Sequence, residues 1–270
     1  MAENSKVAAV VAAYNAEGTV VAAVESLLAG TMACRVYVVA DCRRKPVADV
    51  LQHLLDRIVV IRLEKNAGPA AARNIAIERI LADGFKYILI QDADDVSRPT
   101  RVQRQFEFME AHPEIGACGT WCREFHNDIN EPEPVEERPT SPEEVRNAMY
   151  FNMAISHASA MIRAEALQRV GLYSDGYPVA EDYELFRRIG QHYELASLPE
   201  FLLHYRISPS GQSQSRRQRQ IYDRFMIQLK YFDVMQWRAW AGLAQTFVTF
   251  FIPRGIFYAI KFNVARSRPA

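Results

Sequence analysis

The chain has 270 residues, 49% of them apolar and 24% charged, close to the averages for soluble globular proteins, so neither a disordered chain nor a multi-span membrane protein fits. At roughly 100–200 residues per domain there is room for one large domain with an appendage, and repeat arrays are excluded. The 32 basic and 32 acidic residues cancel only globally: residues 1–210 hold 22 and 30, whereas residues 211–270 hold 10 and 2, a net of −8 against +8.

In chain order, Val7–Ala13, Val36–Ala40, Ile58–Leu63 and Tyr87–Ile90 are near-continuous apolar runs of strand length. Glu3 ahead of the first run and Tyr14-Asn15 behind it argue against a truncated signal peptide. Helical patterns at Thr19–Ala29, Pro46–Leu55 and Pro69–Leu81 separate these runs, which predicts β-α-β units around a parallel sheet buried on both faces. Pro69 suits a first helical turn and Gly84 follows the helix end, so this third unit has the clearest boundaries. A helical pattern over Arg98–Ala111 and a strand over Ile115–Trp121 follow. Asn127–Pro139 is acidic and proline-rich and reads as a solvated loop. Ser141-Pro142-Glu143-Glu144 supplies a cap, a first-turn proline and a capping-box glutamate for a helix reaching about Tyr150. Apolar alternation returns at Ile155–Ile162, with helices at Ala164–Val170 and Glu181–Ile189. The expected organisation is a nucleotide-binding half at 1–95, a second half of the same α/β domain at 96–210, and a basic helical tail at 211–270.

Cys34, Cys42, Cys118 and Cys122 form no C-x-x-C pair, and the reading is reduced thiols in a cytoplasmic protein. Cys118, Cys122 and His126 have a spacing that zinc can use, although no second pair accompanies them. Neither a P-loop nor a G-x-G-x-x-G follows the first strand, so ordinary P-loop and dinucleotide-binding readings lose their main support. The chemistry concentrates instead at Gln91-Asp92-Ala93-Asp94-Asp95, where a strand runs directly into acids. Asp92 and Asp94 fall on the same side of an extended chain, at the strand end where α/β sheets bind ligands. Two such carboxylates repel unless a cation lies between them, and hard oxygen ligands select Mg²⁺ or Mn²⁺, with a diphosphate completing the shell. The alternative is an acidic turn in which Asp95 caps the next helix.

These motifs, in order, resemble those of the family 2 glycosyltransferases of GT-A fold. The resemblance rests on Ala13-Tyr14-Asn15, Val38-Val39-Ala40-Asp41, Asn66-Ala67-Gly68 with Ala72-Arg73-Asn74, and Asp92-Ala93-Asp94-Asp95. It continues through Ser159–Arg163, Val170-Gly171-Leu172-Tyr173, Glu181-Asp182-Tyr183-Glu184-Leu185 and Tyr205-Arg206-Ile207. It implies that Tyr14 and Asp41 line the base and ribose pocket and that Arg73 lies on the nucleotide. Asp92 would sit near the ribose and metal, with Asp94 as the direct metal ligand. Asp182, paired with Glu181, would take the acceptor proton in an inverting transfer. On the residues alone, Glu181, Asp182 and Glu184 followed by Arg187-Arg188 equally match what a helix dipole favours. The chain departs from the family at Ala12-Ala13, at Ala40-Asp41-Cys42-Arg43 and at Ser208, where relatives often carry a metal-completing histidine; either His204, a serine hydroxyl or water replaces it, or metal binding is weaker. His157 reads as a core histidine.

The resemblance implies a nucleoside diphosphate sugar donor, most commonly a UDP-sugar, and a lipid-linked or polysaccharide acceptor at the cytoplasmic face of the membrane. No nucleic-acid partner is expected. A non-catalytic module that binds membranes or partners, and a sugar-1-phosphate nucleotidyltransferase, are the alternatives. In the tail, Ile221, Phe225, Leu229 and Phe232 recur opposite Arg217, Arg224 and Lys230, the pattern of an amphipathic helix. Fifteen uncharged residues then separate Arg238 from Arg254, too few to span a bilayer and interrupted by Pro253. The tail is expected to lie on an anionic membrane surface, the alternative being a cap on the domain or on a homodimer partner.

Overall fold

A computed structural model describes residues 5–40, 47–126, 128–131, 135–207 and 216–252. Strands β1 (Val7–Ala13), β2 (Arg35–Ala40), β3 (Ile58–Arg62) and β4 (Tyr87–Asp92) pair in parallel in the order β3-β2-β1-β4. Their apolar runs lack alternation because both faces are covered. Ala8 and Val10 of β1 enter one core layer, while Val7, Ala9, Val11 and Ala13 enter the other. Helices α1 (Val20–Leu28), α2 (Val47–Val50) and α3 (Pro69–Ala82) fall between these strands. The predicted Pro46–Leu55 helix is shorter than its pattern, dividing into α2 and a 3₁₀ turn at Gln52–Leu54. Gly68 precedes α3 with φ 82, a conformation that side chains disfavour, and its N–H donates to Asn66 Oδ1 at 2.8 Å. That turn accounts for the Asn66-Ala67-Gly68 motif.

The second half continues the same sheet through β5 (Val96–Ser97), α4 (Arg101–Ala111), β6 (Ile115–Phe125), β7 (Val135–Glu136), α5 (Pro142–Ala148), β8 (Met161–Arg163), α6 (Ala164–Val170), α7 (Glu181–Ile189) and β9 (Glu194–Arg206). The strand order extends as β4-β8-β6-β9-β5, and β7 pairs with β6. The β4–β8, β8–β6 and β9–β5 pairs are antiparallel, making the whole sheet mixed. The capping box forms as the sequence predicts, with Ser141 Oγ accepting from Glu144 N and Glu144 Oε2 accepting from Ser141 N.

The sequence misses β9, the longest strand. Pro199 and Glu200 interrupt its pattern, and in the sheet they are the residues skipped where the β6 register jumps from Thr120↔Leu198 to Trp121↔Phe201. A bulge removes the objection that proline raises to a strand. The expected helix at Arg98 starts three residues later, because Val96-Ser97 pairs with His204 and Leu203.

Helices α8 (Arg217–Lys230) and α9 (Trp237–Phe251) form the tail. The predicted apolar face of α8 is corrected. Ile221 is buried, but Leu229 is exposed, Lys230 turns inward to Glu184 Oε1 at 2.8 Å, and Phe232 lies beyond the helix end. Lys230, though about half-exposed, places its ammonium on the buried Glu184 of α7, so the basic and apolar sides of α8 are not cleanly opposed. Cys118 and Cys122 sit in separate core clusters while His126 is exposed, so the zinc spacing does not converge. Burial pushes the thiols of Cys34 and Cys118 up to about 12 and that of Cys122 up to about 11.

Candidate active site

The parallel register places Ala12 of β1 opposite Asp92 of β4 and Ala13 opposite Ala40 of β2, so three strands end together at one edge of the sheet. Tyr14, just past β1, is 52% exposed there. Asp41 and Cys42 lie outside the described residues, as does Ser208.

Arg73, expected on the nucleotide, is held by acidic side chains of the site. Buried in α3, it donates from Nη2 to Asp92 Oδ1 at 2.8 Å and from Nη1 to Glu181 Oε1 at 3.4 Å, with its guanidinium 5.9 Å from the Tyr173 ring. One cation therefore joins the acidic end of β4 to the acidic start of α7, with Arg73 and Glu181 lying 108 residues apart in sequence. Burial opposes the charge on Asp92, yet Arg73 outweighs it and holds this carboxyl below its ordinary value. Asp94 has no such partner and is raised, first by burial and then by Asp92. Asp95 is fully buried and raised well above the carboxylate range by burial, Asp92 and Asp94. Its Oδ1 accepts from Arg206 N at 2.8 Å, and its Oδ2 has no hydrogen-bond partner.

Asp92, Asp94 and Asp95 crowd at this strand end, one ion-paired and one with an orphaned buried oxygen, and their oxygens are of the hard type that Mg²⁺ or Mn²⁺ takes. Among the described residues no three His, Cys, Asp or Glu side chains converge on one point, so the chain itself offers only part of a shell. His204 does not complete it. That ring packs 4.7 Å from Phe201 beside Arg98 and Arg123, and the residue facing the aspartates is Tyr205, whose hydroxyl they raise together with burial.

On α7 the three first-turn acids divide. Glu184 is buried against Arg188, Lys230 and Tyr231, a packing role. Glu181 is buried beside Asp182, and these two causes, burial first, push its carboxyl up to about 7 against the pull of Arg73. Asp182 is half-buried, and its Oδ1 accepts from Tyr183 N at 2.7 Å. The N-cap residue Ala180 supplies no side-chain cap, so the first-turn acids are the groups that meet the positive end of this helix.

Two residues outside the predicted set enter the site. His157 Nε2 and Tyr173 Oη share a hydrogen bond at 2.8 Å, and burial followed by Arg73 pushes the imidazole down to about 4, leaving it neutral near pH 7. Asn74 holds Tyr173 in place, donating to its carbonyl at 2.8 Å and accepting from its N–H at 3.0 Å. The signal was present in the sequence, since Asn74 and Tyr173 belong to motifs 99 residues apart, but nothing in either motif says that they meet.

Residues 8–171 match the family described as "Glycosyl transferase family 2". The amylovoran biosynthesis glycosyltransferase AmsE of Erwinia amylovora is 28% identical over 168 residues, covering 60% of this chain and 61% of AmsE. The Escherichia coli UDP-Glc:alpha-D-GlcNAc-diphosphoundecaprenol beta-1,3-glucosyltransferase WfaP is 34% identical over 106 residues, 38% of this chain and 41% of WfaP. The match spans little more than half the length of the first curated relatives. Among solved structures, S. aureus TarS 1–349 in complex with UDP-GlcNAc aligns with TM-score 0.68 at 16% identity, covering 91% of this chain and 71% of that one. Pyrobaculum calidifontis mannosyltransferase PcManGT with GDP-Man and Mn²⁺ aligns with TM-score 0.63 at 15% identity, covering 99% and 83%.

Proposed function

The chain belongs to glycosyl transferase family 2 and has the GT-A fold, and on that premise we propose that it is an inverting glycosyltransferase. It takes a sugar from a nucleoside diphosphate donor, a UDP-sugar in the first instance, and passes it to a hydroxyl of a lipid-linked or polysaccharide intermediate of surface-glycan synthesis. The relatives named for amylovoran synthesis and for a diphosphoundecaprenol acceptor support that acceptor class. The enzyme works at the cytoplasmic face of the membrane as a peripheral protein.

The observation that carries this reading is the Arg73 bridge. It makes the acidic strand end and the Glu181-Asp182 pair neighbours across one side chain, as a displacement between acceptor hydroxyl and departing diphosphate requires. In the proposed step Asp182 takes the acceptor O–H proton, the oxygen bonds to the anomeric carbon, and the bond to the diphosphate breaks. Glu181, held by Arg73, fixes the start of α7 beside that proton. Tyr14 and Asp41 bind the base and ribose, and Arg73 holds Asp92 in its ionised form. Asp94 with Asp92 would hold Mn²⁺ or Mg²⁺, which when bound neutralises charge on the leaving diphosphate.

A thermal-shift and turnover screen of UDP-, GDP- and dTDP-sugars with Mn²⁺ and Mg²⁺ tests the reading, because a ligand that binds only the folded state raises its melting temperature. Metal-dependent release of nucleoside diphosphate is the expected outcome. Release of pyrophosphate from a nucleoside triphosphate would replace it with a nucleotidyltransferase. Calorimetry should show that Asp94→Ala loses metal-dependent nucleotide binding while keeping its melting temperature, and unchanged affinity would remove Asp94 from the metal site.

A further inference from the structure

Of the thirteen large apolar side chains exposed among the described residues, eleven lie between Tyr222 and Phe251. On α9 the buried positions Ala239, Gly242, Thr246 and Thr249 form one stripe, and Trp240, Phe247, Val248 and Phe251 form the opposite one. Ring contacts extend the outer stripe onto α8 and the intervening turn, with Phe247 at 6.4 Å from Phe225 and 5.2 Å from Phe251, and Trp240 at 4.7 Å from Phe232.

The helix pair cannot roll to hide this face, because its inner side is fixed. A Cβ on Gly242 would collide with the Tyr150 carbonyl oxygen, so α9 touches the domain backbone. Gln228 Nε2 donates to Tyr150 O at 2.9 Å. Lys230 and Tyr231 both donate to the buried Glu184, and Arg187 of α7 donates to Tyr231 O at 3.0 Å.

We propose that the outer face of α8 and α9 is the surface by which the protein docks on an anionic lipid bilayer. The proposal rests on the reading above for its purpose, namely bringing α7 to a membrane-borne acceptor. Its chemistry rests on the charge of the two helices and of the sequence that follows them. The only charged residue of α9 is Arg238, α8 opens on Arg216, Arg217 and Arg219, and the sequence after Phe251 holds Arg254, Lys261, Arg266 and Arg268 with no acid. Of the two acids in residues 211–270, Asp223 is buried against Arg219. A second copy placed face to face would oppose cations to cations, whereas phosphate headgroups supply the missing sign. Tryptophan and phenylalanine beside basic residues on a helix too short to span are what an interfacial helix requires, and no described helix is long and apolar enough to cross a membrane.

Flotation of the full chain with vesicles of phosphatidylcholine alone and of phosphatidylcholine mixed with phosphatidylglycerol tests this. Binding to the mixed vesicles, reduced by salt and accompanied by a blue shift of tryptophan emission, is expected. The triple variant Trp240→Ser, Phe247→Ser, Phe251→Ser should lose about tenfold or more in partitioning, with melting temperature and donor hydrolysis in solution unchanged. Failure of the intact chain to float, or equal binding by the triple variant, overturns the proposal. Sedimentation of the intact chain as a dimer that the triple variant breaks would also overturn it and assign the face to a second copy. Donor hydrolysis on the same samples keeps the two readings separate, since its absence counts against glycosyl transfer and leaves vesicle binding to be judged alone.

Discussion

The end of β4 and the outer face of α9 depart from ordinary burial in opposite directions. At the strand end, charge is buried: Arg73, Asp95 and Glu181 lie under cover with incomplete compensation. On the helix, Trp240, Phe247 and Phe251 face outward. Folding favours neither arrangement, since buried charge costs free energy without partners and exposed aromatic surface forgoes burial. Each region is therefore a candidate for contact with something outside the chain, polar and bearing a cation at the first, amphiphilic at the second. Helix α7 joins them, with Glu181 and Asp182 in its first turn and Glu184 gripping Lys230 and Tyr231 of the tail.

The largest expected effect falls on the buried-charge side. Asp182→Asn should keep nucleotide affinity and lose about 10²–10⁴-fold in transfer, because an amide keeps the shape and cannot accept the proton. Transfer at near wild-type rate would make the acidic start of α7 a feature of helix electrostatics alone.

The junction between the regions comes next. Glu184→Ala removes the acceptor that Arg188, Lys230 and Tyr231 share, and breaking a buried ion pair costs about 3–5 kcal/mol, here toward the lower end because Lys230 is half-exposed and Arg188 keeps the Val170 and Leu172 carbonyls. Urea denaturation measures it. A loss below about 1 kcal/mol, the value of a surface pair, would mean that the tail is only loosely held. The same contacts make removal of the tail an unclean test of membrane binding, since it would also uncover α7.

Glu181 sharpens the contrast through pH. Its carboxyl is raised from 4.5 to about 7, so the folded chain binds this proton more tightly than the unfolded one. The stabilisation is fully present below pH 4.5 and declines until about pH 7, above which it is gone. Glutamine has no proton to lose, so Glu181→Gln should gain about 3 kcal/mol relative to wild type across that window. Parallel stability–pH curves for the two proteins would show that Arg73 already compensates the ionised carboxylate.

The smallest effect concerns packing of the tail. Gly242→Ala places a methyl against the Tyr150 carbonyl, and overpacking of this kind costs typically about 1–3 kcal/mol. Melting temperature reads it. An unchanged value would mean that α9 can shift outward without loss.

Much of the fold was legible because local rules and tertiary structure agreed. Val7–Ala13 is a strand buried on both faces, Pro69 opens α3, and Ser141 with Glu144 closes a capping box, each within a few residues of chain. Strand β9 was hidden because its bulge is a relation to β6, not a property of its own residues. The faces of α8 were misread for a similar reason, as the buried carboxylate that Lys230 reaches belongs to α7.

At the candidate site the sequence determined which chemical groups are available: acids at a strand end, an arginine early in a helix, an acidic pair opening another. Only the tertiary structure decided their pairing. Arg73 meets Asp92 and Glu181, Asn74 meets Tyr173, and Asp95 meets Arg206 across separations of 19 to 111 residues. The physical reason is range. Periodicity and capping act over one or two turns and can be read along the chain, whereas desolvation and Coulomb attraction act through space, and only the folded sheet fixes which charges stand within a few ångströms of each other.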